Sequence, residues 1–166
     1  VNLRAFVVAL VETLRPRQWI KNTLLFVPVV ATHQLDAAAF AVIAPAVMIF
    51  VLLSSTAYIF NDLLDLSFDR EHPRKYARPL ASGRLSSRSG LLLGLVLGAL
   101  GLLLAAEINE RFCIVAGLYF FLTCVYSALL KRMSVVDVLV LAILYDLRIV
   151  AGAEATSVAV SGWLMG

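Results

Sequence analysis

Residues 37–60 run for 24 positions without a charged side chain, and residues 89–106 for another 18. An α-helix of about 20 residues crosses the roughly 30 Å hydrocarbon layer of a bilayer. Runs of this kind leave few folds open. A segment in contact with lipid has no water for its backbone N–H and C=O groups, so it must pair them internally, as a helix or in a closed barrel. Barrel strands alternate apolar and polar residues. LLLGLVLGALGLLLAA at 91–106 does not alternate. The expected fold is therefore all-α, a polytopic transmembrane helical bundle. Composition agrees, with 61% of the 166 residues hydrophobic, 15% charged and a mean hydropathy of +0.92. A soluble domain is about half apolar and a quarter charged.

Five spans are expected, at 19–31, 37–60, 90–106, 112–130 and 135–155, and a sixth begins near Val158. The first is short and contains Pro28. The chain opens on Val1 and ends in SGWLMG within the sixth run, so it is expected to be the N-terminal part of a single transmembrane domain covering 1–166. Residues 1–14 lack a small-residue cleavage site and read as an amphipathic helix lying along the membrane surface. Gly90, Gly94, Gly98 and Gly101 recur at helical spacing, which predicts a close helix–helix seam. Cys113 and Cys124 lie in one apolar run with no metal-ligand spacing and read as small buried hydrophobes.

Basic residues set the expected orientation. Twelve of the 14 fall on one side if five spans alternate: Arg4, Arg15, Arg17 and Lys21, then six in 61–88, then Lys131 and Arg132. The opposite turns hold only Arg111, and Arg148 lies inside the fifth span. This places the N-terminus and 61–88 in the cytoplasm. The net charge of +3 reflects that asymmetry and needs no nucleic-acid partner.

Charge concentrates in NDLLDLSFDREHPRKYARP at 61–79. Asp62, Asp65 and Asp69 share one helix face, and Asn61 lies one turn from Asp65. Three carboxylates on one face repel one another and call for a bound cation or fixed basic partners. An all-oxygen donor set of Asn61, Asp62, Asp65 and Asp69 suits Mg²⁺ bridging to phosphate. The bases that follow suit the phosphate itself. A solvated loop with its acids paired to neighbouring bases is the competing reading. Inside the fifth span, Asp137, Asp146 and Arg148 are costly unless they face a cavity or one another.

These residues also carry a resemblance. N-D-x-x-D-x-x-x-D, followed by D-R-x-H-P-x-K-x-x-R-P-x-A-S-G, resembles the first aspartate-rich motif of the UbiA superfamily of intramembrane prenyltransferases. LRPRQWIKNTLLFVP at 14–28, YSALLKR at 126–132 and VVDVLVLAILYDLRIVAGAEAT at 135–156 resemble its first, fourth and fifth helices. RPxQWxKN and the DR-x-HP run look most like the branch that handles a polyprenyl phosphate and phosphoribosyl pyrophosphate.

The resemblance implies a Mg²⁺-dependent transferase acting on an isoprenoid phosphate or diphosphate, with 61–88 as its aspartate-rich catalytic loop. It implies catalytic and metal roles for Asp62, Asp65 and Asp69, with Asn61 joining the metal set. Arg15, Lys21, Arg70, Lys75, Arg78, Tyr126, Lys131 and Arg148, with Asn61, are the expected phosphate and substrate contacts. For Lys131, snorkelling to headgroups is an equal alternative. Trp19 reads as an interfacial anchor, His72 as a structural loop residue, and Asp146 as a partner for a nearby base. Typical superfamily members instead transfer a prenyl group to an aromatic acceptor. A second aspartate-rich motif, on a later loop in the superfamily, is not reached by residue 166. A transporter fragment and an inactive scaffold are the readings from other classes, and self-association is left open.

Overall fold

A computed structural model of the protein describes residues 3–33 and 36–158, and all regular structure among them is helical. The order is α1 (Leu3–Leu14), a 3₁₀ segment (Pro16–Phe26), α2 (Val27–Ala31), α3 (Ala37–Leu64), α4 (Leu66–Glu71), α5 (Ser87–Ile108), α6 (Glu110–Ala128) and α7 (Ser134–Thr156). Local sequence sets several of these starts. Asp36, Ser86 and Asn109 cap α3, α5 and α6, their side chains accepting from the N–H of Ala39, Ser89 and Phe112 at 2.8, 3.1 and 2.8 Å. The sixth expected span lies outside the described residues.

Three helices, α3, α5 and α6, are long and apolar enough to cross a membrane. α7 has the length, at 23 residues, but carries Asp137, Asp146, Arg148 and Glu154. The outer surfaces are apolar: Leu92, Leu103, Phe121 and Val138 are all more than half exposed. Lipid tolerates such a surface, and a water-soluble monomer rarely shows one of this extent.

The short first span is solved by stretching. Pro16 at its start has φ preset for a helix, and Arg15 before it turns the chain with φ 54° and ψ 62°. The 11 residues that follow form a 3₁₀ helix, far longer than usual. At ~2.0 Å per residue, with α2 added at ~1.5 Å, the segment reaches about 30 Å, the thickness of the hydrocarbon layer. It lies between α3 and α7. Trp19 is not a simple interfacial anchor as expected. Its Nε1 donates into the bundle, to Ser55 Oγ and Leu14 O at 3.1 Å each, and ties the corner after α1 to α3.

The bundle core is aromatic at its centre, where Phe50 of α3 packs on Tyr119 and Phe112 of α6 with ring centroids 4.8 and 6.0 Å apart. The glycine stripe forms the expected seam between α5 and α3. A Cβ on Gly94 would come within 2.8 Å of the Phe60 ring, and one on Gly101 within 2.8 Å of a Leu53 methyl. A further close approach was not anticipated. Gly152 of α7 packs against the backbone of Leu25, where a Cβ would run into the Leu25 carbonyl.

The helices alternate in direction. Lys131 after α6 reaches Asn61 and Asp65 at the C-terminal end of α3, and Arg15 reaches Asp62. Asn109 at the start of α6 donates to the Glu154 carbonyl near the end of α7, at the opposite end of the bundle. The polar loop from α4 to α5 therefore joins Arg15 and Lys131 at one end.

These contacts order three alanine substitutions. Gly152→Ala meets backbone and is expected to cost about 2–3 kcal/mol of stability. Gly101→Ala meets side-chain atoms only, chiefly the end of Leu53, and costs about 1 kcal/mol. Gly117 has open space where its Cβ would go, so Gly117→Ala is expected to stabilise by about 0.5 kcal/mol. Thermal unfolding in detergent reads the order, and a Gly152→Ala protein as stable as the parent contradicts the packing.

Candidate functional site

The motif at the end of α3 does not continue as one helix. α3 ends at Leu64, Asp65 adopts φ −91° and ψ 7°, and α4 begins at Leu66. The break re-aims the carboxylates, and they sort into two sets. Asp62 and Asp69 are 4% and 2% exposed and share one guanidinium. Arg78 Nη1 donates to Asp62 Oδ1 at 3.0 Å and to Asp69 Oδ2 at 2.6 Å. Arg15 Nη2 also donates to Asp62 Oδ1, and its guanidinium lies 5.1 Å from the centre of the Tyr58 ring. Lys75 stands 3.8 Å from Asp69.

The second set gathers on Lys131. Its Nζ donates to both oxygens of Asp65 at 2.6 Å and to Asn61 Oδ1 at 3.0 Å. This pins the turn after α6 to the end of α3. In this structure the Lys131 ammonium is engaged by Asp65 and Asn61 at the cavity.

The four residues expected to form one metal set, Asn61, Asp62, Asp65 and Asp69, are thus held by basic partners in two groups. Among the described residues no three His, Cys, Asp or Glu side chains gather closely enough to hold one ion. Arg15, Arg78 and Lys131 offset the repulsion among these carboxylates. The donor chemistry still suits a hard ion in a smaller way. Mg²⁺ is commonly held by one or two carboxylates plus waters and phosphate oxygens. Asn61 and Asp65 fit that demand, since both present oxygens toward one point and Asn61 lines a cavity.

That cavity, about 290 Å³, opens between α3, α6, α7 and the 3₁₀ segment. Its wall includes Arg15, Lys21, Lys131 and Arg148, with Asn61, Tyr58, Tyr119, Tyr126 and Tyr145. No carboxylate is part of the wall. Tyr126 Oη donates to Asp137 Oδ1 behind it. Lys21 is half-buried and, among the described residues, makes no ion pair. Seven expected residues, namely Asn61, Arg15, Lys21, Lys131, Arg148, Tyr126 and, through Lys131, Asp65, therefore meet at the cavity. Asp62, Asp69, Lys75 and Arg78 sit beside it as an ion-pair network. Arg70 is exposed on α4 and pairs with none of them. Asp146 is also exposed, and the base expected to partner it is absent among the described residues. His72 has the structural role expected, its Nδ1 accepting from the N–H of Arg74 and Lys75 at 3.2 and 3.3 Å.

Three residues that matter here were not anticipated: Asn22, Ser54 and Tyr119. Asn22 is fully buried, with its Nδ2 donating to Ser54 Oγ at 3.3 Å and its Oδ1 accepting from Arg148 Nε at 3.3 Å. A lone amide in an apolar span was the available signal.

Residues 23–166 match the UbiA prenyltransferase family. The chain is 40% identical over 149 residues to the nodulation protein NoeC of Azorhizobium caulinodans, covering 90% of this chain and 48% of that protein. It is 32% identical over 164 residues to decaprenyl-phosphate phosphoribosyltransferase of Mycobacterium tuberculosis, covering 96% of this chain and 54% of that enzyme. It thus spans about half the length of these curated relatives. Among solved structures, a UbiA homologue from Archaeoglobus fulgidus bound to GPP and Mg²⁺ superposes with a TM-score of 0.76 at 25% identity, covering 93% of this chain and 56% of that one. The bundle, its apolar spans and its motif order agree with that match, and the chain belongs to the UbiA prenyltransferase family.

Proposed function

We propose that the protein is an integral-membrane, Mg²⁺-dependent transferase acting on an isoprenoid phosphate. The specific reaction is transfer of a phosphoribosyl group from phosphoribosyl pyrophosphate to a polyprenyl phosphate. The observation that carries this reading is the cavity wall of four cations and no carboxylate, next to an acid-rich helix end. Such a wall favours a strongly anionic ligand. The mycobacterial relative's name supplies the acceptor class and the group transferred.

The basic residues would act electrostatically. Negative charge grows on a departing diphosphate, and fixed cations in a site of low dielectric stabilise that charge without reorganising. Lys131 is the cavity residue to contact it, and Arg15 joins it at the rim. Bound Mg²⁺ would neutralise the same oxygens, and Asn61 and Asp65 are the residues to hold it. Asp62 and Asp69 would position Arg15 and Arg78 instead of touching substrate. We infer that this end of the bundle faces the cytoplasm, because the basic residues cluster there and the donor is soluble. A second reading, prenyl transfer from a prenyl diphosphate, is favoured by the archaeal homologue bound to GPP and Mg²⁺.

With labelled phosphoribosyl pyrophosphate and polyprenyl phosphate, the membrane protein is expected to form labelled lipid only when Mg²⁺ is present. Label moving instead from GPP to an aromatic acid selects the second reading, and no turnover with either donor contradicts both.

The two sets of acids are expected to separate in mutants. Asp65→Ala should cut turnover by about 100-fold or more with little change in melting temperature, since Asp65 and Lys131 keep some solvent access. Asp69→Ala breaks a buried pair and should cost about 3 kcal/mol of stability. Equal stability losses in the two variants would overturn the assignment.

A further inference from the structure

Arg148 occupies an unusual position for a charge. It is 5% exposed and sits midway along α7. Every group that contacts it is neutral. Nε donates to Asn22 Oδ1 at 3.3 Å, Nη1 to the Leu144 carbonyl, and Nη2 to Tyr119 Oη at 2.8 Å. The guanidinium also lies over the rings of Tyr119 and Tyr145, 4.7 and 5.6 Å from their centres. A guanidinium has five N–H donors, so these contacts leave two, one on each Nη. The acids of α7 do not compensate it, and Glu154 lines a different cavity with Asn109 and Arg111. Asp146 is exposed, and Asp137 is engaged with Tyr126.

A buried charge without a counter-ion is expensive, and more so inside a membrane bundle. The surroundings are nonetheless built to hold it. Asn22 is itself held by Ser54, so the 3₁₀ segment, α3, α6 and α7 all converge on this one side chain. Arg148 also borders the cavity, together with Lys21, the other cation there that lacks a carboxylate partner among the described residues. Arg15 and Lys131, by contrast, are offset by Asp62 and Asp65. The cavity therefore retains two positive charges away from the acid-rich end. Two charges match a phosphomonoester, which carries close to two negative charges at neutral pH, better than they match a carboxylate.

We propose that Arg148, with Lys21, forms a second oxyanion subsite that takes a phosphomonoester, separate from the Asn61, Asp65 and Lys131 site for the donor's diphosphate. This rests on the transferase reading and adds to it a residue that selects a phosphorylated acceptor over a neutral one. Two sources carry that chemistry, a lipid phosphate and a soluble sugar phosphate.

Binding is measured on the membrane protein in nanodiscs with farnesyl phosphate, farnesol, ribose 5-phosphate and Mg²⁺-pyrophosphate as probes. The parent protein is expected to bind at least one phosphomonoester, and farnesyl phosphate if the source is lipid, about tenfold or more tightly than farnesol. Arg148→Gln should abolish that preference while changing pyrophosphate affinity by less than about threefold, and Arg148→Lys should fall between. An effect on ribose 5-phosphate alone assigns the subsite to a soluble phosphate. The proposal is overturned if Arg148→Gln leaves both phosphomonoesters unaffected, or weakens all probes equally. If Arg148→Gln does not fold, the Lys variant decides. If neither folds, the parent decides, and the proposal is overturned if farnesyl phosphate binds no more tightly than farnesol and ribose 5-phosphate does not bind. Failure of the parent to bind pyrophosphate instead sinks the transferase reading, which separates the two.

Discussion

The arrangement depends on how carboxylates at a membrane helix end are neutralised. Asp62 and Asp69 are nearly inaccessible to solvent, and the Arg78 guanidinium between them offsets the cost of burying both. Arg78 is followed by Pro79 and the turn into α5, while Arg15 starts the 3₁₀ segment. One pair of acids therefore fixes the position of the N-terminal corner, the end of α3 and the loop before α5. Arg84 adds a second tie, donating to Glu12 Oε2 at 2.6 Å and to the Ala77 carbonyl at 2.7 Å. Lys131 does for the far side of the cavity what Arg78 does for the near side.

The consequence is a division of labour within one short motif. A straight helix would set three acids on a single face, and they would compete for one ion. Breaking the helix at Asp65 separates them. Asp62 and Asp69 turn inward and become an anchor for arginines. Asn61 and Asp65 turn toward the cavity, where Lys131 holds them.

Much of this was legible in the sequence. The uncharged runs required helices, and the spacing of Gly94, Gly98 and Gly101 marked the α3–α5 seam, because small residues at helical period have few other uses in an apolar run. Motif order along the chain marked which polar residues belong together. The helix break was not legible, since Asp65 is neither Gly nor Pro and nothing local in LLDLS demands a kink. The stretched 3₁₀ segment was equally hidden. It packs against Gly152, more than a hundred residues away in sequence, and such pairings leave no local pattern. Trp19 misled for a related reason. Its amphipathic ring suits an interface, but a hydroxyl on α3 is the partner its N–H finds.

The central claim is the proposal that Lys131 meets phosphate, and holds Asp65 only until it arrives. A cryo-EM structure of the membrane protein with Mg²⁺ and pyrophosphate tests it most directly. The account predicts pyrophosphate in the cavity, Lys131 Nζ moved from Asp65 onto a phosphate oxygen, and the Arg78 pair with Asp62 and Asp69 intact. Pyrophosphate bound elsewhere, with Lys131 still seated on Asp65, would contradict it.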